Sequence, residues 1–485
     1  MSEIPPKLDA SDQGEPMADY VRQLGLGEQK PNRLLYGWLL IAALGTLMFG
    51  LQTLQYLGKE PGEKSFTQQE SALKMTQIQE RGFDWLYSIA AQSKEDMAKA
   101  DNNIALMQKK GAEDVLKALG KDIAKNDSAA TIALAASIKL KQAPPKEAVE
   151  RLSKSKDSKL KLLVTEPTKI TSAQDKELWE MVKGGSYSQG LAAAEILSKR
   201  PGGEKAKASV LPDSEVSRSI FSVVLMLGLI GLGTLTLAFG CVMHFTGYWK
   251  SKRILVDIPT ADRYAVFVGL FFVLFILLPS FVALAIRGLP IDAGLKTLLS
   301  FGSLTVAFLV LIGLPIHGKA IPYRQIFGSF EKPFRQVMVG LASYAANFPL
   351  IVVLAIVVSI VTAPFKDVLP QPSHPINEMM SGSNPWPMIF AGMTAVLLAP
   401  LLEEVVFRGL FFPALARIMT PLAACMIQGF LFAAIHPQGL PAIPMLMVIG
   451  VMGSVVAWKE GSILPAMVMH AAHNGTILFI GMNLM

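Results

Sequence analysis

The sequence predicts an all-α, polytopic membrane protein of about nine spans, with a soluble helical domain inserted after the first span. Hydrophobic residues make up 51% of the 485 residues, and the mean hydropathy of +0.41 is high for a soluble protein of this length. Apolar runs long enough to cross a bilayer recur along the chain. One long polar stretch, 58–218, interrupts them and gives the predicted domain order.

The charge and cysteine content favour a membrane protein over other classes. The net charge is +7, but the basic residues lie in polar segments that flank apolar runs, where membrane orientation requires them. We therefore expect the lipid bilayer, and no nucleic acid, as a partner. The two cysteines, Cys241 and Cys425, both lie in apolar runs, so neither a disulfide framework nor a cysteine-based zinc site is predicted.

The N-terminal part predicts a tail followed by a membrane anchor. Residues 1–33 are polar, carry both signs of charge and contain four prolines, which is typical of a cytoplasmic tail without a packed core. Residues 34–57 are apolar enough to span. A long polar segment precedes them without a short basic region and a cleavage site, so an uncleaved transmembrane signal-anchor is predicted.

Residues 58–218 predict a soluble, mainly helical, extracytoplasmic domain. They are rich in Lys, Ala, Glu, Asp, Gln and Ser, and stretches such as 90–111 have helical periodicity. Breaks at Pro144-Pro145, Gly184-Gly185 and Pro201 separate the predicted helices. No catalytic constellation occurs in this region. A protein partner for it is possible, but no residue pattern selects one.

The remainder of the chain, 219–485, predicts an eight-span membrane core. Positively charged loops such as those with Lys252 and Arg335 fall on one side of the membrane, which the positive-inside rule makes the cytoplasmic side. Arg417 and Lys459 fall on the same side. The predicted spans are 219–246, 264–287, 296–316, 336–363, 386–406, 421–436, 441–458 and 463–483.

Two adjacent carboxylates and an arginine lie in one of these apolar runs. Placing one ionised side chain near the bilayer centre costs about 2.5–3.5 kcal/mol, so Glu403, Glu404 and Arg408 indicate a functional site. The alternative is a cluster at the membrane–water boundary that stabilises a helix end. Adjacent helical residues point about 100° apart, so the glutamates are expected to have different roles. Glu404 can pair with Arg408 at i,i+4, which leaves Glu403 as the candidate general base.

Two later runs carry the remaining candidate residues. His436, four residues after Phe432, is predicted in the last turn of its helix, where a lone histidine is more often structural than catalytic. His470 and Asn474 share one helix face, with His473 beside them, and their hydrogen-bond donors suit the stabilisation of an oxyanion. The alternative is hydrogen bonding that holds membrane helices together.

These residues resemble the motifs of the CPBP intramembrane proteases, the family of type II CAAX-prenyl endopeptidases and bacteriocin-processing proteins. Residues 403–409, Glu-Glu-Val-Val-Phe-Arg-Gly, match the EExxxR motif, residues 432–436 match FxxxH, and residues 470–474 match HxxxN/D. The resemblance covers about residues 215–485. The first span and the domain after it lie outside and look like an added N-terminal module.

The resemblance implies an intramembrane endopeptidase of the plasma (inner) membrane of a prokaryote, acting on a membrane-associated protein or peptide. By similarity, Glu403 and His436 activate the attacking water, and His470 and Asn474 form the oxyanion hole. Supporting roles then fall to Glu404, Arg408 and Phe432. A prenylated CAAX tail, a leader peptide and a membrane-protein segment all remain possible substrates.

Three further alternatives accompany this interpretation. No cofactor is expected: His436, His470 and a glutamate could bind zinc, but HExxH is absent and the family is better described as glutamate-dependent. A non-proteolytic scaffold or immunity protein of the same fold would use the 58–218 domain for binding. A transporter would use the carboxylates as a proton relay, but no inverted repeat is evident.

Overall fold

The computed structural model describes residues 35–57, 66–90, 94–252, 256–318, 321–365, 386–436 and 438–484, so the predicted tail at 1–33 lies outside the described residues. The structure is 84% helical. Within those ranges there is no strand, and the extended backbone contributes one isolated bridge between Gly328 and Ser462. The predicted all-α fold class is confirmed.

Eighteen helices follow one another through the described ranges. In the first half they are α1 (Leu35–Leu57), α2 (Phe66–Ala90), α3 (Lys94–Leu119), α4 (Asp127–Lys139), α5 (Lys146–Ser153), α6 (Ser158–Leu162), α7 (Ser172–Gly184), α8 (Tyr187–Leu197) and α9 (Ala206–Val210). In the second half they are α10 (Asp213–Phe245), α11 (Ile258–Ala285), α12 (Ala293–His317), α13 (Tyr323–Phe327), α14 (Pro333–Thr362), α15 (Trp386–Ile418), α16 (Pro421–Ala434), α17 (Ile443–Glu460) and α18 (Leu464–Leu484).

Seven helices in the described part of the chain are long and apolar enough to cross a membrane: α1, α10, α11, α12, α14, α15 and α17. The other two predicted spans differ from these. Helix α16 is apolar but has only 14 residues, about 21 Å at 1.5 Å per residue. Helix α18 has 21 residues, but His470, His473 and Asn474 interrupt its apolar character. The protein is an integral membrane protein in which the two helices that depart from the spanning pattern carry motif residues.

The chain divides into two compact units, each with its own internal contacts. Among the described residues, one contains those within 35–57, 227–365 and 386–478, and the other contains those within 66–226 and 479–484. The first span therefore groups with the motif-bearing helices, whereas the sequence suggested an added module. The predicted boundary at 218/219 lies inside the continuous helix α10, and the division by contacts falls after Met226.

The helical unit between the first two spans includes an alanine-rich helix, α4, in its core. Nine consecutive residues of α4, 129–137, are buried, and most of them are alanine, which lets α5 and α8 pack close to this helix. Asn126 caps α4 by accepting from the backbone of Ser128 and Ala129. Capping boxes begin α7 at Thr171 and α8 at Ser186, so helix starts are specified locally. The predicted helical character of this region is confirmed.

A buried carboxylate at the end of α17 joins the segment after α10 to the first turn of α14. Glu460, whose side chain is 1% exposed, accepts hydrogen bonds from Trp249 Nε1 at 2.9 Å, Lys252 Nζ at 3.2 Å and Arg335 Nη2 at 3.0 Å. Lys459 Nζ donates to the Trp249 carbonyl at 2.7 Å. The basic loops predicted to share one side of the membrane therefore meet at one residue.

We expect Glu460→Gln to lower the stability of the protein by about 1–3 kcal/mol, because the amide cannot satisfy the cations that converge there. Lys252 and Arg335 are about half exposed, so solvent screening limits the loss. Thermal unfolding in detergent measures it. Glu331→Gln, an exposed glutamate of the same unit, is the matched control, and equal midpoints for the two variants would contradict the expectation.

Candidate active site

The carboxylates lie on α15, which alternates between α-helical and π-helical geometry. The π turns are Thr394–Leu398 and Val405–Phe411, and Ala399–Glu404 between them is α-helical. Each π turn is followed by a proline, Pro400 or Pro413. In an α-helix, proline lacks the N–H that would bond to the carbonyl four residues earlier, and its ring clashes with that carbonyl. A π turn moves the carbonyl away from the ring. The prolines thus account for the local geometry that presents Glu403 and Glu404.

Arg408 is held by acceptors from two helices. Its Nη1 donates to Glu404 Oε1 at 2.8 Å, and its Nη2 donates to the α17 carbonyls of Ile449 and Gly450 at 3.3 and 3.1 Å. The guanidinium carbon lies 4.5 Å from the centre of the Phe432 ring, which adds a cation–π contact. Gly453 permits this approach, because a Cβ there would lie 2.7 Å from Arg408 Nη2.

The charged groups are buried in the protein interior. Arg408 and Glu404 are 0% exposed and Glu403 is 4% exposed, whereas residues at a membrane surface would extend to water. They lie on a helix long and apolar enough to cross a membrane. This burial favours a functional site over a boundary cluster, and the functional site stays a prediction.

His470 lies between the two glutamates. Its Nδ1 is 2.9 Å from Glu404 Oε1, the same oxygen that accepts from Arg408, and its Nε2 is 4.0 Å from Glu403 Oε2. The pair between Glu404 and Arg408 that the spacing predicts is present, and the role of Glu403 as general base stays a prediction. The two carboxylates nevertheless reach one imidazole, from its opposite nitrogen atoms. The different directions of the two glutamates on α15 do not prevent this, because the His470 ring lies between their carboxylates.

His436 faces the same carboxylate from the end of α16. Its Nδ1 is 2.6 Å from the Phe432 carbonyl oxygen, and its Nε2 is 3.7 Å from Glu403 Oε2. The Phe432 ring lies 4.7 Å from the His436 ring and 5.6 Å from the His470 ring, centre to centre. Phe432 therefore packs between the guanidinium and both imidazoles. Glu403 Oε2 is buried and has no hydrogen-bond partner in the structure.

Asn474 is brought to α15, where it satisfies a backbone carbonyl. Its Nδ2 donates to the Ala395 oxygen at 2.7 Å. In a π turn the Ala395 oxygen would accept from the N–H of residue 400, but residue 400 is a proline and has no N–H. In an α-helix the same oxygen would accept from Ala399, but the Ala399 N–H donates to the Thr394 oxygen. Asn474 thus supplies the donor that Pro400 lacks. One of its two amide hydrogens is used in this way.

Polar residues that the sequence did not single out lie beside the motif residues. Asn347 and Tyr344 of α14 are buried at 2% and 6% exposure. Asn347 Nδ2 lies 3.3 Å from Met469 Sδ, and the Tyr344 ring lies 6.4 Å from the His473 ring. The sequence signal for these residues was the presence of polar side chains within the apolar run 336–363. Such a signal does not show which residues of other helices these side chains will contact.

The donor atoms around Glu403 fit a metal site in chemical type, since two imidazoles and a carboxylate are common ligands. In the described ranges, however, no group of three or more His, Cys, Asp or Glu side chains has the arrangement needed to hold a metal ion. The expectation of a reaction without a cofactor stays a prediction.

We expect Asn474→Ala to destabilise the protein by about 1–3 kcal/mol, because the Ala395 carbonyl loses its donor. The loss should be smaller in a Pro400→Ala background, where residue 400 has an N–H for that carbonyl. A double-mutant cycle on thermal unfolding in detergent measures this coupling. Pro349→Ala in α14 is the matched control, since Pro349 lies in a span without a π turn. Additive losses for Pro400 and Asn474 would contradict the assignment.

Comparison with known proteins identifies the segment that contains all three motifs. Residues 384–476 match the family model described as type II CAAX prenyl endopeptidase Rce1-like. No curated protein and no solved structure matched the chain. The family is a protease family, which supports a peptidase with a peptide or protein substrate in a membrane environment. Residues 384–476 of this integral membrane protein are thus similar to the Rce1-like type II CAAX prenyl endopeptidases, which is consistent with the resemblance to CPBP intramembrane proteases.

Proposed function

We propose that the protein is an intramembrane endopeptidase in which Glu403 activates a water molecule for attack on a peptide bond. The observation that carries the proposal is the environment of Glu403 Oε2. This oxygen is buried, has no hydrogen-bond partner, and lies 3.7 Å from His436 Nε2 and 4.0 Å from His470 Nε2. These separations exceed a direct hydrogen bond and leave the three atoms to be bridged by a shared ligand such as water.

The hydrogen-bond partners of the imidazoles determine where their protons lie. A carbonyl oxygen only accepts, so His436 Nδ1 carries the proton that is donated to the Phe432 oxygen. In the same way, His470 Nδ1 donates to Glu404 Oε1, which also accepts from Arg408. Neutral His436 therefore presents an Nε2 lone pair, which can accept a hydrogen from the water that Glu403 deprotonates.

His470 has a different role because of the charges around it. The buried groups Glu403 and Glu404 are opposed by the single guanidinium of Arg408, which leaves one negative charge without a cation. A proton on His470 Nε2 balances that charge, and the Glu404 carboxylate stabilises the imidazolium. In this form His470 Nε2–H can donate to an oxyanion. Glu404 thus acts through His470, and Arg408 holds Glu404.

The reaction then follows from these positions. Glu403 takes a proton from water, and the water oxygen bonds to the scissile carbonyl carbon, whose oxygen becomes an oxyanion. His470 Nε2–H and the second amide hydrogen of Asn474 stabilise that oxyanion. The C–N bond breaks, and the proton held by Glu403 passes to the leaving amine. Peptide and water give a carboxylic acid and an amine, which exchange one proton to become a carboxylate and an ammonium, and Glu403 is restored.

Substrate and location follow as parts of the same proposal. The motif residues lie among apolar helices of an integral membrane protein, which favours a membrane-associated protein or peptide over a soluble one. A prenylated CAAX tail, a leader peptide and a membrane-protein segment each satisfy that condition. The unit at 60–226 offers a surface for a protein partner, and the plasma (inner) membrane of a prokaryote is the proposed location.

We expect Glu403→Gln to abolish cleavage while the protein still inserts and folds, because the amide preserves size but cannot accept the proton of the water. His436→Ala should have the same effect. Peptides released from membranes containing the wild type or each variant, identified by mass spectrometry, measure the loss and name candidate substrates. Wild-type release from both variants would contradict the proposal. A phenotype that then depended on residues 58–218 would favour a scaffold or immunity protein.

The metal-free reaction is tested separately. We expect peptide release from wild-type membranes to be unchanged by a zinc chelator, because no step proposed here requires a Lewis acid. The control is Glu403→Gln membranes treated identically. Loss of release on chelation, followed by recovery with added zinc, would instead assign His436, His470 and Glu403 as ligands.

A further inference from the structure

The first membrane span contacts the segment that carries His436, although it lies outside the matched residues 384–476. Helix α1 packs along α11, where Trp38 Nε1 donates to Asp262 Oδ1 at 2.7 Å. The same span also packs against α16. It belongs to the compact unit that contains the motifs. The span is thus part of the structure around the candidate site.

The contacts of α1 lie on both sides of the Phe432–His436 motif. Before the motif, the Phe49 and Phe430 rings pack 5.6 Å apart, centre to centre. After the motif, the ring of Tyr56 covers Gly439, three residues beyond His436. Tyr56 is 4% exposed, so this contact is buried. Movement of the motif segment is opposed from both ends.

The contact at Gly439 leaves no room for a side chain. Gly439 has φ +85°, a conformation that favours glycine, and a Cβ there would lie 2.5 Å from Tyr56 Cδ2. The Gly439 oxygen accepts from Ala442 N at 3.1 Å, which starts the turn into α17. Tyr56 therefore packs on a turn between His436 and the helix that holds Arg408.

We propose that Tyr56 is a positioning residue for His436. By packing on Gly439 it fixes the turn that follows the histidine, and so keeps His436 Nε2 directed at Glu403. This inference rests on the proposed function, because the position of His436 affects cleavage only if the imidazole acts on the water. It assigns a part in the reaction to a span that lies outside the matched domain.

The first test measures the exposure of His436 without a substrate. Diethyl pyrocarbonate is added to native membranes, and modification of each histidine is followed by mass spectrometry of peptides. Tyr56→Ala should raise the rate at His436 several-fold and leave His470 unchanged. Tyr56→Phe should restore the wild-type rate because the ring makes the contact. Tyr36→Ala, an exposed tyrosine of the same helix, is the matched control.

The second measurement is the release of peptides that depends on Glu403. Displacement of a catalytic group by about 1 Å can lower turnover by roughly a hundredfold, so Tyr56→Ala should reduce the release rate by ten- to a hundredfold. The release rate at saturating substrate should fall, whereas the substrate concentration for half-maximal rate should stay constant. Wild-type modification and release rates in Tyr56→Ala would overturn the proposal.

A second test changes Gly439, the other partner in the contact, and applies even if Tyr56→Ala fails to fold. In the protein with Tyr56, Gly439→Ala should raise the rate of His436 modification. In a Tyr56→Leu background, where a smaller side chain replaces the ring, the same substitution should raise that rate by less. Equal effects in both backgrounds would overturn the contact.

The experiments distinguish failure of the proposed function from failure of the positioning role. Unchanged release in Glu403→Gln removes the proposed function, whereas loss in Glu403→Gln with wild-type behaviour in Tyr56→Ala removes only the positioning role.

Discussion

The ion pair between Arg408 and Glu404 is the constraint on which the motif-bearing unit depends. Both side chains are 0% exposed in the interior of an apolar helical unit, where either charge alone would be costly. The guanidinium also donates to two carbonyls of α17. The carboxylate oxygen that it binds also fixes the orientation of His470. A single pair thus joins α15, α17 and α18, and sets the frame in which Glu403 meets two imidazoles.

Much of this arrangement could be predicted from the sequence, because polar residues in apolar runs are rare and costly. That cost identified Glu403, Glu404 and Arg408, and helical spacing predicted the pair between Glu404 and Arg408. The sequence could not show that His470 reaches both carboxylates, since the crossing of α18 and α15 is a tertiary contact between residues 66 apart. Asn347 and Tyr344 were missed for the same reason. Their neighbours Met469 and His473 lie on a helix more than one hundred residues later.

The two π turns of α15 show a signal that was present in the sequence but was not used. Pro400 and Pro413 lie within an apolar helix, and each follows a stretch in which the hydrogen-bond register widens. A proline alone predicts a kink or a break, so it does not specify a π turn. The use of Asn474 to satisfy the Ala395 carbonyl depends on a helix that arrives later in the chain. In a membrane, where no water can satisfy such a group, that donor has to come from the protein.

The grouping of the first span with the motif-bearing helices has a consequence for biogenesis. Helix α1 is made first, but its partner α11 begins at Ile258, after the whole unit at 60–226 has been synthesised. At roughly 5–20 residues per second, those intervening residues take roughly 10–40 s. During that interval α1 has to remain in the membrane as a single helix, which its internally satisfied backbone permits. Tyr56 and Trp38 are therefore exposed to lipid or to the insertion machinery before they are buried, and the order of synthesis delays completion of the site until the last helices arrive.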